Sequence, residues 1–571
     1  MATAAVTPTV SLTSPDRTLA LVPPQPGAGK AGTGKLKRQL GLFGLLAISL
    51  GSMLGSKWLL VPGMAAGSAG PAALLSWLLA GAMLVLIALM YAELGAAYPL
   101  SGGTARYSFL SFGPVAGFAA GWVSWLQAAT IAPIEVEVAL QLLAPKWPGI
   151  WDPATHLLTG KGTGFAILFV VFFTLLNLAG ARWTSGLNQL CTYWKVLVPL
   201  TVVGALAASS FHTANFQPLS SDFPFGFQGI FQAVPGGAVF ALLGFEQATQ
   251  FAGEARDPEG DIPRAVVISL VVGVIVYLCL QAAFIGVLGP GGIAGVAAGH
   301  SVVGLAAYGP YAVTAGALGL GWVAVLIYAD AVVSPAGQGM LYLSATSRVT
   351  YSMGKAATLP KVFERVDRRG APWFSVLLAS AFGVVVLLPL RSWQDLLELI
   401  AGATAFMYAF APVSLAALRR SDPDRARPFQ LALPEVFAPL AFVAANLIIY
   451  WTGWPALWRV EAGTGIGMLV LAITHVTTTK ASRPRLQLRA SAWVVPWLGG
   501  LLVLDGIGPA YVRSVRHVVP FWWDLLAVAL FSLGIFYLAQ LLALPARDVA
   551  ANIAAAGAGP PDEDISEGVG Q

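Results

Sequence analysis

Apolar runs of about 20 residues recur along nearly the whole chain, parted by short stretches that hold most of its Lys, Arg, Asp and Glu. A run of that length crosses the roughly 30 Å hydrocarbon core of a bilayer as one helix. The pattern predicts fourteen spans, at 41–66, 71–97, 113–142, 163–181, 188–209, 229–252, 263–288, 314–347, 372–389, 394–418, 434–455, 461–478, 491–510 and 519–544. The expected fold class is an all-α polytopic membrane protein. Composition agrees. Soluble domains carry about a quarter charged residues, whereas 10% of this chain is charged and 57% is hydrophobic.

Two spans read poorly as continuous helices. Gly51-Ser-Met-Leu-Gly-Ser-Lys-Trp58 lies at the centre of the first. In the sixth, Pro235-Gly-Gly precedes Phe240-Ala-Leu-Leu-Gly-Phe-Glu246, again near the middle. Glycine lowers the cost of leaving helical geometry, and unwound backbone at membrane depth is tolerated only where protein or a wet cavity surrounds it. The interruptions occupy matching places in spans 1–5 and 6–10, and an offset of five inverts one half relative to the other. That is the signature of a secondary transporter with its site at the midplane. Gly51 and Gly55 alone would also suit a small-xxx-small packing face; the paired placement and nearby ionisable residues favour a site.

The net charge of +5 matters less than its distribution. Most of the 32 Lys and Arg fall in the even-numbered loops and both tails, leaving only Lys146, Lys161, Arg391, Arg459, Arg513 and Arg516 in the odd-numbered loops. The positive-inside rule then puts both termini in the cytoplasm. These separate short loops, without aromatic interleaving, argue against a nucleic-acid surface. Cys191 and Cys279 both lie within spans, and the five His are scattered without ligand spacing. No metal, cofactor or enzymatic chemistry is expected. No phosphate-binding loop is present, so an ion gradient is the expected energy source.

Ionisable groups inside the membrane are costly and mark function by default. Lys195 lies in span 5 about eight residues from its cytoplasmic end. It could snorkel to the interface, or act as a desolvated amine that gains and loses a proton during a cycle. Lys57 follows the first break. Glu135 and Glu137 sit in the outer half of span 3, two residues and thus roughly 200° apart around a helix, so at least one is expected to contact Lys57. A static ion pair is the competing reading. Glu246 falls in the second break, where a carboxylate can bind an amine, cap a half-helix or relay protons. Asp330 is similarly deep in span 8, Glu93 near the inner end of span 2 is expected to anchor a loop, and Asp505 receives no role.

At these residues the chain resembles the amino acid–polyamine–organocation permeases over roughly residues 40 to 430. The likeness is carried by Gly51-Ser-Met-Leu-Gly-Ser56, Tyr91-Ala-Glu-Leu-Gly-Ala-Ala-Tyr-Pro-Leu-Ser-Gly-Gly103, Asn177-Leu-Ala-Gly180 with Lys195, and Gly244-Phe-Glu246 with Glu254-Ala-Arg-Asp-Pro-Glu-Gly-Asp-Ile-Pro-Arg264. Ser344-Ala-Thr-Ser-Arg348 with Arg368-Arg-Gly-Ala-Pro372 resembles the loop after the eighth helix. The resemblance implies two inverted five-helix repeats of LeuT-like form, roughly 41–209 and 229–418, within a transport core at 39–420. Additional membrane helices would fill 421–546, with cytoplasmic disordered tails at 1–38 and 547–571. It also implies a substrate carboxylate at backbone N–H groups near Ser52, Met53, Gly55 and Ser56, and a substrate amine at carbonyls near Leu243 and Gly244. Lys57, Glu135, Glu137, Phe240, Phe245 and Glu246 complete the candidate substrate site, and Lys195 with Glu246 the proton-coupling pair. Lys57 is a departure, since the family usually has glycine there. It could favour an acidic side chain, plug the site, or bind Glu135 or Glu137.

These readings converge on a proton-coupled amino acid permease of a prokaryotic cell membrane, monomeric or homodimeric, akin to aspartate/glutamate symporters. The alternative is an amino acid sensor that keeps the fold without turnover. The charge bias predicts that, in a bacterial host, a C-terminal green fluorescent protein fusion fluoresces while a C-terminal alkaline phosphatase fusion is inactive. An active phosphatase would place that tail outside.

Overall fold

A computed structural model describes residues 38–556 except 153, 156, 180, 221–225, 289–308, 366–371, 389–392 and 480–482. The expected tails at 1–37 and 557–571, the Arg368–Ala371 part of the motif above and Arg391 lie outside the described residues. The helices are α1 (Leu42–Met53), α2 (Lys57–Ala69), α3 (Ala73–Ala97), α4 (Gly103–Phe112), α5 (Pro114–Leu143), α6 (Gly160–Leu178), α7 (Ala181–Ser209), α8 (Gly226–Gln232) and α9 (Pro258–Val287). There follow α10 (Pro310–Ala317), α11 (Gly321–Lys355), α12 (Trp373–Leu387), α13 (Trp393–Ser421), α14 (Pro434–Thr452), α15 (Trp454–Thr477), α16 (Val494–Ile507), α17 (Trp523–Leu542) and α18 (Ala546–Ala556).

Helix covers each of the fourteen segments drawn from the sequence. Among the described residues eleven helical stretches are long and apolar enough to cross a membrane, one of them running through Lys57–Ala97, and α1 and α12 are shorter apolar helices. Outside them, a small hairpin pairs Trp151 with Leu158 and Asp152 with Leu157. Proline interrupts several spans, at Pro62, Pro133, Pro335 and Pro412 among others, which membrane helices tolerate because neighbouring groups re-satisfy the freed carbonyls.

Three features depart from the expected outline. The stretch after Gly103 is the helix α4, all ten of its residues buried, and its apolar face packs along α5. The eighth span, drawn to end at 347, continues in α11 to Lys355, so that Arg348 lies inside the helix rather than in the loop after it. There Arg348 is held by Glu254 at 2.6 Å and lies over the Phe251 ring. The tail expected from 547 opens with α18, whose Val549 and Ile553 are buried and whose Asn552 donates to the Phe109 carbonyl at 3.1 Å. Its alanine-rich sequence carries an apolar stripe at i and i+4, enough to dock a helix.

α11 packs along α5, α9 along α3, and α13 between α5 and α14. Glycine sets the closeness of several contacts. A Cβ on Gly121 would meet Met353 Sδ at 2.8 Å, and one on Gly95 would meet Ile262 at 2.7 Å. Small residues at helix crossings are how membrane helices gain contact without a hydrophobic drive. The last helices are sealed to the rest by aromatic residues and polar pins. Trp493 and Trp497, both fully buried, pack against Phe410, Trp497 Nε1 donates to Asn446 at 2.8 Å, and the hydroxyls of Tyr450 and Tyr511 donate to Asp524 at 3.2 and 2.7 Å.

Glu93 anchors the C-terminal end of α3 as expected. Fully buried, it accepts two bonds from Arg419 at 2.7 and 2.5 Å and the Leu431 N–H at 2.8 Å, with Arg427 at 3.5 Å. Removing one partner of a buried ion pair strands the other charge, at a cost of about 3–5 kcal/mol. Glu93→Ala is therefore expected to lower the melting temperature of the detergent-solubilised protein markedly and Glu93→Gln to lower it less; equal melting of both variants and wild type would remove the anchor role.

Candidate functional site

The first break is three residues long. α1 ends at Met53, Leu54 has left helical geometry, and α2 resumes at Lys57. The second is more elaborate. After α8 the backbone widens into one π turn over Val234–Val239, around Pro235, which has no N–H to donate, and a helical turn over Phe240–Leu242 follows. The chain leaves the helix at Leu243 and resumes it at Gln247–Gln250. The interruption thus falls at 243–246, downstream of the Pro-Gly-Gly stretch. Gly244 takes φ of 122°, and a Cβ there would meet the Ser52 side chain at 2.4 Å. That positive φ and that clearance both require glycine, so the two breaks touch directly. Arg256 N–H donates to the Leu40 carbonyl at 2.7 Å, tying the chain before α1 to the segment after the second break.

Every residue from Gly51 to Gly63 and from Gly237 to Gln250 is buried, so the free backbone groups must be satisfied by protein. Four charged side chains do most of this. Lys57 Nζ donates to the Ser52 carbonyl at 3.1 Å and to the Leu243 carbonyl at 3.0 Å, one acceptor from each break, and lies 5.4 Å from the centre of the Phe240 ring. Lys195 Nζ donates to the Gly51 carbonyl at 2.8 Å. Glu135 accepts the Ser56 N–H on Oε2 at 3.0 Å. Glu246 accepts the Gly244 N–H at 3.1 Å, Gln247 Nε2 at 3.0 Å and the Tyr408 hydroxyl at 2.7 Å.

The expected ion pair of Lys57 with Glu135 is not made; the hydrogen bonds of its ammonium go to the two backbone carbonyls. The reason lies in the break itself. Carbonyls at the end of α1 have lost their helical donors and offer a cation nearer acceptors, while the N-terminus of α2 offers Glu135 free N–H groups and a favourable dipole. Glu135 acts on Lys57 through space. Lys195 does not snorkel: it is fully buried, and its chain passes Gly337 of α11 on the way to α1.

The remaining candidates divide. Ser52 offers its carbonyl to Lys57, while its hydroxyl bonds back to Ile48 at 2.7 Å. Met53 gives its carbonyl to the Tyr277 hydroxyl at 3.0 Å and packs its side chain on Gly273, away from the breaks. Phe245 turns towards Tyr91 and Tyr408. Gly55 leaves room for the Gln338 amide, which a Cβ would displace. Glu137 is buried on α5.

Other residues complete the surroundings of the breaks. Asp330 accepts Trp58 Nε1 at 2.8 Å, Trp194 Nε1 at 2.8 Å and the Ser334 hydroxyl at 2.5 Å, joining α2, α7 and α11 beside Lys195. Ser49 links the breaks again, donating to the Phe245 carbonyl at 3.1 Å and accepting the Ala248 N–H at 3.3 Å. Asp330 was visible as a deep acid, but its indole partners lie 272 and 136 residues away in sequence. Tyr277, Gln338 and Tyr408 gave no signal beyond being polar positions within apolar spans. Among the described residues no cluster of His, Cys, Asp and Glu could hold a metal ion.

Residues 40–531 match the family model described as amino acid permease. Similar proteins include the glutamate/serine transporter AimA of Bacillus subtilis, 35% identical over 88% of this chain and 93% of that protein. The aspartate-proton symporter of the same organism is 33% identical over 90% of this chain and 98% of its own length. The branched-chain amino acid permease BcaP, also of Bacillus subtilis, is 26% identical over 78% and 94%.

The abutment of the breaks makes Gly244→Ala a sharp test. The new Cβ would meet Ser52 and force a non-glycine residue into a strained conformation worth about 1–3 kcal/mol. A clear drop in melting temperature is expected, where Gly499→Ala, in open space on α16, should change it little. Equal behaviour of the two variants would mean that the breaks do not depend on this contact.

Proposed function

The chain belongs to the amino acid permease family, and we propose that it imports an acidic amino acid together with a proton, working by alternating access across a prokaryotic cell membrane. It is a multi-pass membrane protein related to amino acid transporters. The finer reading draws on the names of two relatives, one a glutamate/serine transporter and the other an aspartate-proton symporter, and on the charges gathered at the breaks. We take the chain to cross the membrane fourteen times, with both tails inside, the inverted repeats at 41–209 and 229–418, and the helices of 421–546 buttressing the core.

One observation carries the coupling. The Lys195 ammonium donates directly to the Gly51 carbonyl, two residues before the end of α1. A proton gained there holds α7 to the first break; a proton lost turns the donor into a neutral amine and loosens that hold. Asp330 and Glu135 act on Lys195 through space, so its charge is balanced within the same cluster. Protonation can then bias which side of the membrane the breaks face, which is what linking a gradient to transport requires. Glu246, capping the second break and bonded to Tyr408 of α13, is the other group through which a proton could act.

Proteoliposomes with an inward proton gradient are expected to accumulate labelled L-aspartate or L-glutamate. Binding without accumulation would instead identify a sensor. Lys195→Ala should abolish gradient-driven accumulation while eluting as a folded monomer or homodimer. A variant that still concentrates substrate at the wild-type rate would overturn the coupling role.

A further inference from the structure

The carbonyls exposed by the two breaks are natural acceptors for an ammonium group. In this chain they are already taken. Lys57 Nζ spends two of its three N–H donors on the Ser52 and Leu243 carbonyls at 3.1 and 3.0 Å, and the residue is 1% exposed. Because this ammonium is tethered by its own side chain, it occupies that seat without any ligand. An incoming ammonium would meet spent acceptors beside a fixed cation, whereas a carboxylate would meet the third N–H.

The groups nearby have the complementary character. Glu135 uses Oε2 for the Ser56 N–H, and its Oε1, fully buried, accepts no hydrogen bond. The Gln338 amide, against Gly55, is fully buried with neither its nitrogen nor its oxygen bonded. Unpartnered polar groups in a low-dielectric interior are expensive, and the Glu135 oxygen and the Gln338 amide at the first break are what a small polar ligand would satisfy.

We propose that Lys57 takes the place of a substrate's amine at the breaks, so that the site recognises an amino acid bearing a side-chain carboxylate through side chains rather than backbone: the carboxylate to Lys57, the ammonium to Glu135 Oε1, with Gln338 as the neighbouring polar contact. This rests on the permease reading and adds which groups read the substrate and in which orientation.

The test uses the full-length protein in proteoliposomes, with labelled L-aspartate uptake competed by unlabelled L-aspartate, by L-asparagine, which lacks the side-chain carboxylate, and by succinate, which lacks the amine. Wild type is expected to favour L-aspartate over either competitor by roughly tenfold or more, the scale of a buried charge contact. Lys57→Met should bring L-aspartate and L-asparagine to within about twofold of each other, and Glu135→Gln should narrow the gap between L-aspartate and succinate. A wild-type protein that takes L-asparagine as readily as L-aspartate overturns the proposal without any variant. So does a folded Lys57→Met protein that keeps the wild-type ratio. Uptake of other amino acids with either result leaves the permease reading standing; a wild type that takes up no amino acid overturns both.

Discussion

Two helices interrupted side by side in the same buried layer leave backbone donors and acceptors that lipid cannot satisfy, and the arrangement of this protein's interior follows from supplying them with partners. The Lys57 ammonium bridges a carbonyl of each break, Lys195 takes another from α1, and Glu135 and Glu246 cap the N–H groups on the far sides. Each of these charges would be costly if buried alone. Each is tolerated because the breaks need a charged partner, and the breaks are tolerated because those charges are present. Gly244 makes the mutual dependence tight: its positive φ and missing Cβ let the second break lie directly on Ser52.

Around this centre the fold supplies rigidity in graded amounts. α5 and α11 flank the breaks and deliver Glu135, Asp330 and Gln338, while the C-terminal end of α3 is clamped by the Glu93–Arg419 pair and the last helices by aromatic packing around Trp493 and Trp497. The connections that would have to change in a transport cycle are of another kind. They are single hydrogen bonds from long, flexible Lys side chains to backbone carbonyls, which can be exchanged without unpacking a helix. A protein that must be stable yet alternate between two states benefits from separating these classes of contact.

The position of Lys57 sharpens what the family relationship means here. Membership makes the chain an amino acid permease, yet the seat best suited to an amine is filled by the protein itself. On the proposed reading, a ligand is read by what remains, the third Lys57 N–H and the Glu135 oxygen left without a partner. The charges of Lys57, Glu135 and Lys195 act on one another through space, so a change at one is felt at the others. The groups proposed for substrate choice and those proposed for proton coupling thus share one electrostatic cluster.

The helices themselves were legible in the sequence, because membrane spanning imposes a length and an apolar composition that no other constraint imitates. So were the breaks, through their paired placement in the two halves rather than through glycine alone, and so were the deep charges at Lys57, Lys195, Glu135, Glu246 and Asp330, because ionisable residues in lipid-facing chains are rare. What each charge touches was not legible. Lys57 was expected on a neighbouring carboxylate, but it bonds to backbone carbonyls, and a carbonyl's availability depends on where a helix unwinds rather than on any side chain. Asp330 found its two indoles through residues far apart in sequence, and the stretch from Arg348 to Lys355 and the first turns of the C-terminal tail became helix because packing partners covered them. Hydropathy and local conformational preference are properties of a stretch of residues and can be read from it; hydrogen-bond partnership between distant stretches is decided only when tertiary structure brings donor and acceptor to within about 3 Å of each other.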